Sequence, residues 1–159
     1  MKAIVLSDIH GDERTLEAAL EKAWKETGPV DAYFFLGDGV RDFEREERFL
    51  RRHDPHALMY AVKGNNDFGV DAPYSMVVRF GGTNIYMTHG HNERVKLTMV
   101  DLDRRAFEAG CTIALYGHTH CRDEETRRVT MINPGAAQDG CLALLEVEDG
   151  QPRVSFMRC

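Results

Sequence analysis

Six short apolar runs, at residues 2–7, 32–36, 57–62, 85–88, 112–116 and 129–132, constrain this chain more than any other feature. They are rich in β-branched and aromatic residues, and runs of that length and content are buried strands. Between the first two, Leu16, Ala19, Leu20, Ala23 and Trp24 recur at the spacing of one helical face. A helix of about 14 residues is expected there, with Asp12 to cap its start and Gly28 and Pro29 to stop it. A second helix is expected over 42–52, burying Phe43 and Leu50, and a third over 98–109 through Met99, Leu102 and Ala106. Strand, helix, strand, helix, strand is the order of a parallel sheet covered by helices. The final third reads as antiparallel hairpins, with Asp149 and Gly150 as the turn between 142–147 and 153–156. Gly81 and Gly82 make another turn, between 75–80 and 84–88. The fold class is therefore α/β, with more strand than an ordinary doubly wound domain.

A chain of 159 residues is expected to form one domain over 1–159. Its 26 acidic against 20 basic residues give a formal charge of -6, which disfavours nucleic acid and anionic membranes as partners. A local pair of cations would still attract a small phosphate ester. The N-terminal apolar run is far shorter than a signal-peptide core, and no stretch approaches a membrane span. Cys111, Cys121, Cys141 and Cys159 show no CxxC pairing, so free thiols and a cytoplasmic location are expected.

In an open α/β sheet, ligands bind where the strands end, and at those positions the chain repeats one theme. The first run leads into Asp8-Ile9-His10, the second into Gly37-Asp38, and the third into Gly64-Asn65-Asn66-Asp67. The fourth leads into His89-Gly90-His91 and the fifth into Gly117-His118-Thr119-His120. Only His53 and His56 of the seven histidines lie elsewhere. Singly, each signal has a bland account: Asp-x-His a capped turn, Gly-Asp a common turn, His89 a satisfied buried imidazole. Their conjunction points to metal, because carboxylate, amide and neutral imidazole are the ligands that borderline divalent cations take. So many donors exceed what one ion holds. A pair of ions is expected, bridged by one carboxylate at about 3.5 to 4 Å separation. Asp38, on a Gly-Asp turn that lets backbone and metal approach closely, is the bridging candidate.

With Asp-x-His, Gly-Asp, Gly-Asn-x-Asp, His and Gly-His-x-His in that order, the chain from Asp8 to His120 resembles the calcineurin-like metallophosphoesterases. The Gly64 to Asp67 form, Thr88 to His91, and Asn133-Pro134-Gly135 liken it to their small phosphodiesterase branch. The resemblance implies a four-layer αββα sandwich, two stacked mixed β-sheets flanked by helices, with metals at the carboxyl ends. By it, Asp8, His10, Asp38 and His120 hold one divalent ion, and Asp38, Asn65, His89 and His118 hold the other. Mn²⁺ is the first candidate, with Fe²⁺, Ni²⁺ and Zn²⁺ as alternatives. A hydroxide held between the ions is implied to attack phosphorus in line. The implied substrate is a small phosphodiester or phosphomonoester. Asp38, Asn65, His91 and Asp67 are the implied catalytic group, Asp67 from behind the ligands, and association into a homo-oligomer is in keeping with such relatives.

One position departs from the pattern. Many phosphatases of the superfamily carry, after the ligand Asn, a histidine believed to protonate the leaving alkoxide, and this chain has Asn66. An amide is no general acid near neutral pH. Either good leaving groups are favoured, or His91 takes the role; His91 equally suits a hydrogen bond to an outer group. Cys121 reads as an ordinary thiol rather than a ligand. Arg122, Arg127 and Arg128 suit either a substrate groove or, with Asp123, Glu124 and Glu125 interleaved, a solvated charged face, and the interleaving favours the second. Asn133-Pro134-Gly135 reads as a tight turn that offers only backbone donors. A non-catalytic scaffold, like the retromer subunit of similar fold, is the rival function, and it would show eroded ligand positions where this chain has them filled. A nuclease would want a basic groove or an added domain.

Overall fold

Period-two alternation along the apolar runs sorts their side chains into separate cores. In β1 (Lys2–Leu6), Ala3 and Val5 face one core while Ile4 and Leu6 face another. In β2 (Ala32–Phe35), Ala32 and Phe34 are likewise set against Tyr33 and Phe35. The computed structural model describes residues 1–157. Between β1 and β2 runs α1 (Glu13–Thr27), which buries Leu16, Leu20, Ala23 and Trp24. The Asp12 carboxylate caps it, accepting from the Thr15 backbone N–H at 3.0 Å and the Thr15 hydroxyl at 2.7 Å. After β2, α2 (Val40–His53) leads to β3 (Leu58–Ala61), and β1, β2 and β3 pair in parallel.

The chain then builds a second sheet from β4 (Ser75–Phe80), β5 (Thr83–Thr88), α3 (Val100–Glu108), β6 (Ile113–Leu115), β7 (Asp123–Thr126) and β8 (Thr130–Asn133). A short 3₁₀ turn at Ala137–Asp139 returns it to the first sheet, which β9 (Leu142–Glu148) and β10 (Gln151–Met157) complete. The first sheet has the order β10-β9-β1-β2-β3 and the second β4-β5-β6-β8-β7. Apolar side chains of both sheets, among them Val5, Phe34, Ile85 and Ile132, fill the layer between them. The α1 and α2 helices cover the outer face of the first sheet, and α3 that of the second. This is the expected four-layer αββα sandwich of two mixed sheets.

Four expectations need correction. The run at 57–62 contains an edge strand, not a wholly buried one: among the described residues β3 has no neighbour on its far side, and Leu58 is 53% exposed. No strand was expected in the acidic stretch, yet 123–126 form β7, an antiparallel edge strand on β8, whose side chains are mostly exposed as the solvated charged face expected there. Charge is compatible with an edge and discourages pairing with other chains. The final third is not all antiparallel, since β8 pairs in parallel with β6. Lastly, Cys111 and Cys121 are free as expected, but Cys141 is disulfide-bonded. Cys159 lies outside the described residues. Among those described, no helix is long and apolar enough to cross a membrane.

Candidate metal centre

The carboxyl ends of the central strands bring two groups of side chains together. Asp8, His10 and His120 form one, and Asp38, His89 and His118 the other, with the ligand-type atoms in each group within 4.8 Å of one another. The first group is open, since His10 and His120 are exposed, while Asp38 and His89 of the second are buried. Short contacts link the groups: Asp8 Oδ1 lies 3.2 Å from His120 Nε2 and 3.9 Å from His89 Nε2, and Asp38 Oδ2 lies 3.3 Å from His89 Nε2. The rings of His10 and His120 are 5.7 Å apart, and those of His89 and His118 are 5.0 Å apart.

The backbone is bent to make this possible. Asp8, Asp38, His118 and His120 take φ values of 57°, 59°, 67° and 60°, in the left-handed region that non-glycine residues rarely adopt. Such conformations persist only where surrounding structure dictates them, and they gather at functional sites. Two glycines make room. A Cβ at Gly64 would lie 2.1 Å from Asp38 Oδ1, and one at Gly117 would lie 1.9 Å from Ser7 Oγ. Only a hydrogen fits at either place.

A supporting shell then fixes the carboxylates. Asp67 accepts from the Asp38, Gly39 and Gly64 N–H groups at 2.8 Å each and from that of Val40 at 3.0 Å, tying the second and third strand ends together. Asn66 donates its backbone N–H to Asp38 Oδ1 at 2.9 Å and its side-chain amide to Asp38 Oδ2 at 2.8 Å. Asp8 Oδ2 accepts from the Ser7 hydroxyl at 2.6 Å and from His118 N–H at 3.2 Å. The Asn133 amide donates to Gly117 O at 2.9 Å and to Thr119 Oγ1 at 3.0 Å, holding the His118 to His120 loop.

The electrostatics call for positive charge between the two groups. His89 Nδ1 sits 2.7 Å from Leu36 O, so that nitrogen donates and Nε2 turns toward Asp8 and Asp38. Among the described residues, Asp8 Oδ1, His89 Nε2 and His91 Nδ1 are buried side-chain atoms with no hydrogen-bond partner; the first two belong to the ligand groups, and the His91 ring lies 5.5 Å from that of His89. Burial works against a charged His89, yet the adjacent Asp38 and Asp8 carboxylates outweigh it and raise its pKa. Burial also works against ionised Asp38, but the His89 ring and the Asn66 donors hold its carboxyl well below the usual range. His118 is pushed down to about 4 by burial, then by the charges of His89 and Lys96, and so offers a neutral imidazole at pH 7. Buried orphaned oxygen and nitrogen atoms facing each other in a carboxylate and imidazole set fit a divalent cation.

Of the residues expected from sequence, Asp8, His10, Asp38, His89, His118 and His120 are gathered here. His91 lies beside them, its ring 6.2 Å from that of His118. Asn65 occupies the same turn with an exposed side chain, and Asn66 is the residue that contacts Asp38. Sequence reasoning missed the part of Ser7, whose signal was a polar side chain at the end of an apolar run, and that of the Asn133 side chain, since Asn133-Pro134-Gly135 was read as a turn offering only backbone donors. Arg128 is no part of the site: it pairs with Asp103 at 3.1 Å and covers the Phe107 ring. His53 is also remote, stacked on Trp24 with ring centroids 4.0 Å apart.

Two stacked mixed sheets with aspartates and histidines paired off at the strand ends define a metallophosphoesterase sandwich. The chain belongs to the calcineurin-like phosphoesterase superfamily, whose domain profile matches residues 1–150. It is 33% identical over 137 residues to the probable metallophosphoesterase YsnB of Bacillus subtilis, covering 86% of this chain and 75% of that protein. Among solved structures, it is similar to a predicted phosphoesterase of Streptococcus pneumoniae, with a TM-score of 0.74 at 30% identity over 98% of this chain and 87% of the other. A novel archaeal phosphodiesterase shares the fold, with a TM-score of 0.72 at 22% identity over 98% and 99% of the two chains.

Proposed function

We propose that this chain is a phosphodiesterase with a dinuclear metal centre, one ion held by Asp8, His10, Asp38 and His120 and the other by Asp38, Asn65, His89 and His118. The observation that carries the proposal is the pair of orphaned buried atoms, Asp8 Oδ1 and His89 Nε2, one from each ligand group and 3.9 Å apart. Two divalent cations there, Mn²⁺ first among the candidates, would neutralise charge on the phosphoryl oxygens and supply a deprotonated water at neutral pH.

The remaining roles fall to the chain's own residues. Asp67 sets the positions of Asp38 and Gly64 through their backbone N–H groups, and Asn66 orients the Asp38 carboxylate. His91 is held below its ordinary pKa by burial first and then by the charge of His89, so at pH 7 it is a neutral imidazole and a poor source of protons. With Asn66 unable to protonate, a leaving oxygen must depart largely unaided. That suits esters of acidic alcohols and phenols.

Metal-stripped protein supplied with Mn²⁺, Ni²⁺ or Zn²⁺ is expected to hydrolyse bis(4-nitrophenyl) phosphate. Asp38→Ala and His118→Ala are expected to abolish that turnover while remaining folded. Turnover that persists in both variants, or that resists a chelator, would refute the proposal.

A further inference from the structure

Beside the candidate metal groups lies a cavity of about 340 Å³, lined by His10 and Asp38 of those groups and by Arg41, Phe68 and Val70 among others. Two features of its lining are unexplained by the metal chemistry. Phe68 is 79% exposed, an aromatic face left in water next to the site. The side chain of Arg41, one residue into α2, makes no hydrogen bond, ion pair or ring contact among the described residues. Its neighbour Arg45 is engaged, pairing with Asp42 at 3.2 Å and with Glu13 at 3.8 Å. Arg41 is thus an available guanidinium lining the cavity, in a chain whose net charge is -6.

An aromatic face and a guanidinium plane beside an anion site form a clamp for a flat ring. Rings stack on aromatic side chains, guanidinium groups stack on rings, and the positive charge draws in an anionic ester. We infer that Arg41 and Phe68 form a specificity subsite that grips a planar aromatic arm of the phosphoester, whether simple aryl or nucleobase. This inference rests on the reading of the adjacent groups as a phosphoester site. It deepens that reading by assigning what lies beyond the phosphorus. A diester with such an arm meets both the metal groups and the Arg41 and Phe68 lining, whereas inorganic phosphate or a small alkyl ester meets only the former.

The test is binding rather than turnover, so it stands apart from whether the protein hydrolyses anything. Titration calorimetry on Mn²⁺-loaded protein compares three inert monoanions: methyl methylphosphonate, phenyl methylphosphonate and the thymidine 5′-ester of methylphosphonic acid. The aromatic ligands are expected to bind at least about tenfold more tightly than the methyl ligand, at the lower end of what stacking on one aromatic side chain gives. Phe68→Ala should remove most of that gap while leaving the methyl ligand's affinity unchanged, and the exposure of Phe68 makes unfolding of the variant no concern. Arg41→Gln should weaken the aromatic ligands and narrow the gap. Thymidine ahead of phenyl would identify a nucleobase as the arm, and equality an aryl group. Equal affinity for all three ligands, or a gap that survives Phe68→Ala, would overturn the subsite, while no binding of any ligand to the native protein would overturn the anion site as well.

Discussion

Replacing Asp67 with Asn changes one oxygen and tests how the site is held together. In the native turn each carboxylate oxygen serves two backbone donors, Oδ1 those of Gly39 and Val40 and Oδ2 those of Asp38 and Gly64. An amide keeps one acceptor and turns a second set of donors toward the other pair of N–H groups. Two hydrogen bonds to a charged acceptor are lost and two partly buried donors are left facing a donor. At about 1.5 kcal/mol for each bond, the low end for a charged partner, the loss is about 3 kcal/mol. For a domain of this size that lowers the melting temperature by about 6 to 12 °C. The assay is thermal unfolding by circular dichroism in the presence of EDTA, which removes any contribution from metal. A shift of less than about 2 °C would show that Asp67 does not organise the turn and would refute the reasoning.

Other perturbations have equally definite outcomes. Gly64→Ala would drive a Cβ to within 2.1 Å of Asp38 Oδ1, so it should destabilise the fold by at least about 2 kcal/mol in urea unfolding and weaken Mn²⁺ binding. The His118 pKa of about 4 lies below its ordinary 6.5, so in metal-free protein the unfolded chain takes up a proton through this window before the folded one does. The His118 contribution to stability is therefore lost as pH falls from about 6.5 toward 4, and His118→Asn should lose less stability than the native protein between about pH 7 and pH 5 in urea unfolding with EDTA. With Asn66 as an amide and His91 neutral, kcat across a series of aryl phosphodiesters should rise steeply as the leaving phenol becomes more acidic. A flat dependence would reveal a general acid among residues not given that role here.

The strands and the ligand cluster were legible in the sequence because the first apolar runs end in polar residues that strand ends do not otherwise require, while the stacking of two sheets came from the family resemblance. Asp8, Asp38, His89 and His118 announced themselves by place. What was hidden acts across long separations. The bond from His118 N–H to Asp8 spans 110 residues, and Asn133 reaches back to Gly117 and Thr119 from the end of β8. No local pattern encodes such contacts. Asn66 stood out only as a departure from the family motif, and its grip on Asp38 depends on the bend between β3 and β4. The β7 strand was invisible because Asp-Glu-Glu-Thr has no apolar alternation, and an edge that is exposed has no need of one. The Cys141 disulfide carried no spacing signal.

Counting metal ions per chain tests the dinuclear centre most directly. Chelator-stripped protein would be reloaded with Mn²⁺, freed of unbound ion, and assayed by inductively coupled plasma mass spectrometry beside the His120→Ala and His89→Ala variants. The account predicts a pair of ions in the native protein and a single ion in either variant, each substitution emptying its own half. One ion or none in the native protein, or an unchanged pair in both variants, would contradict it.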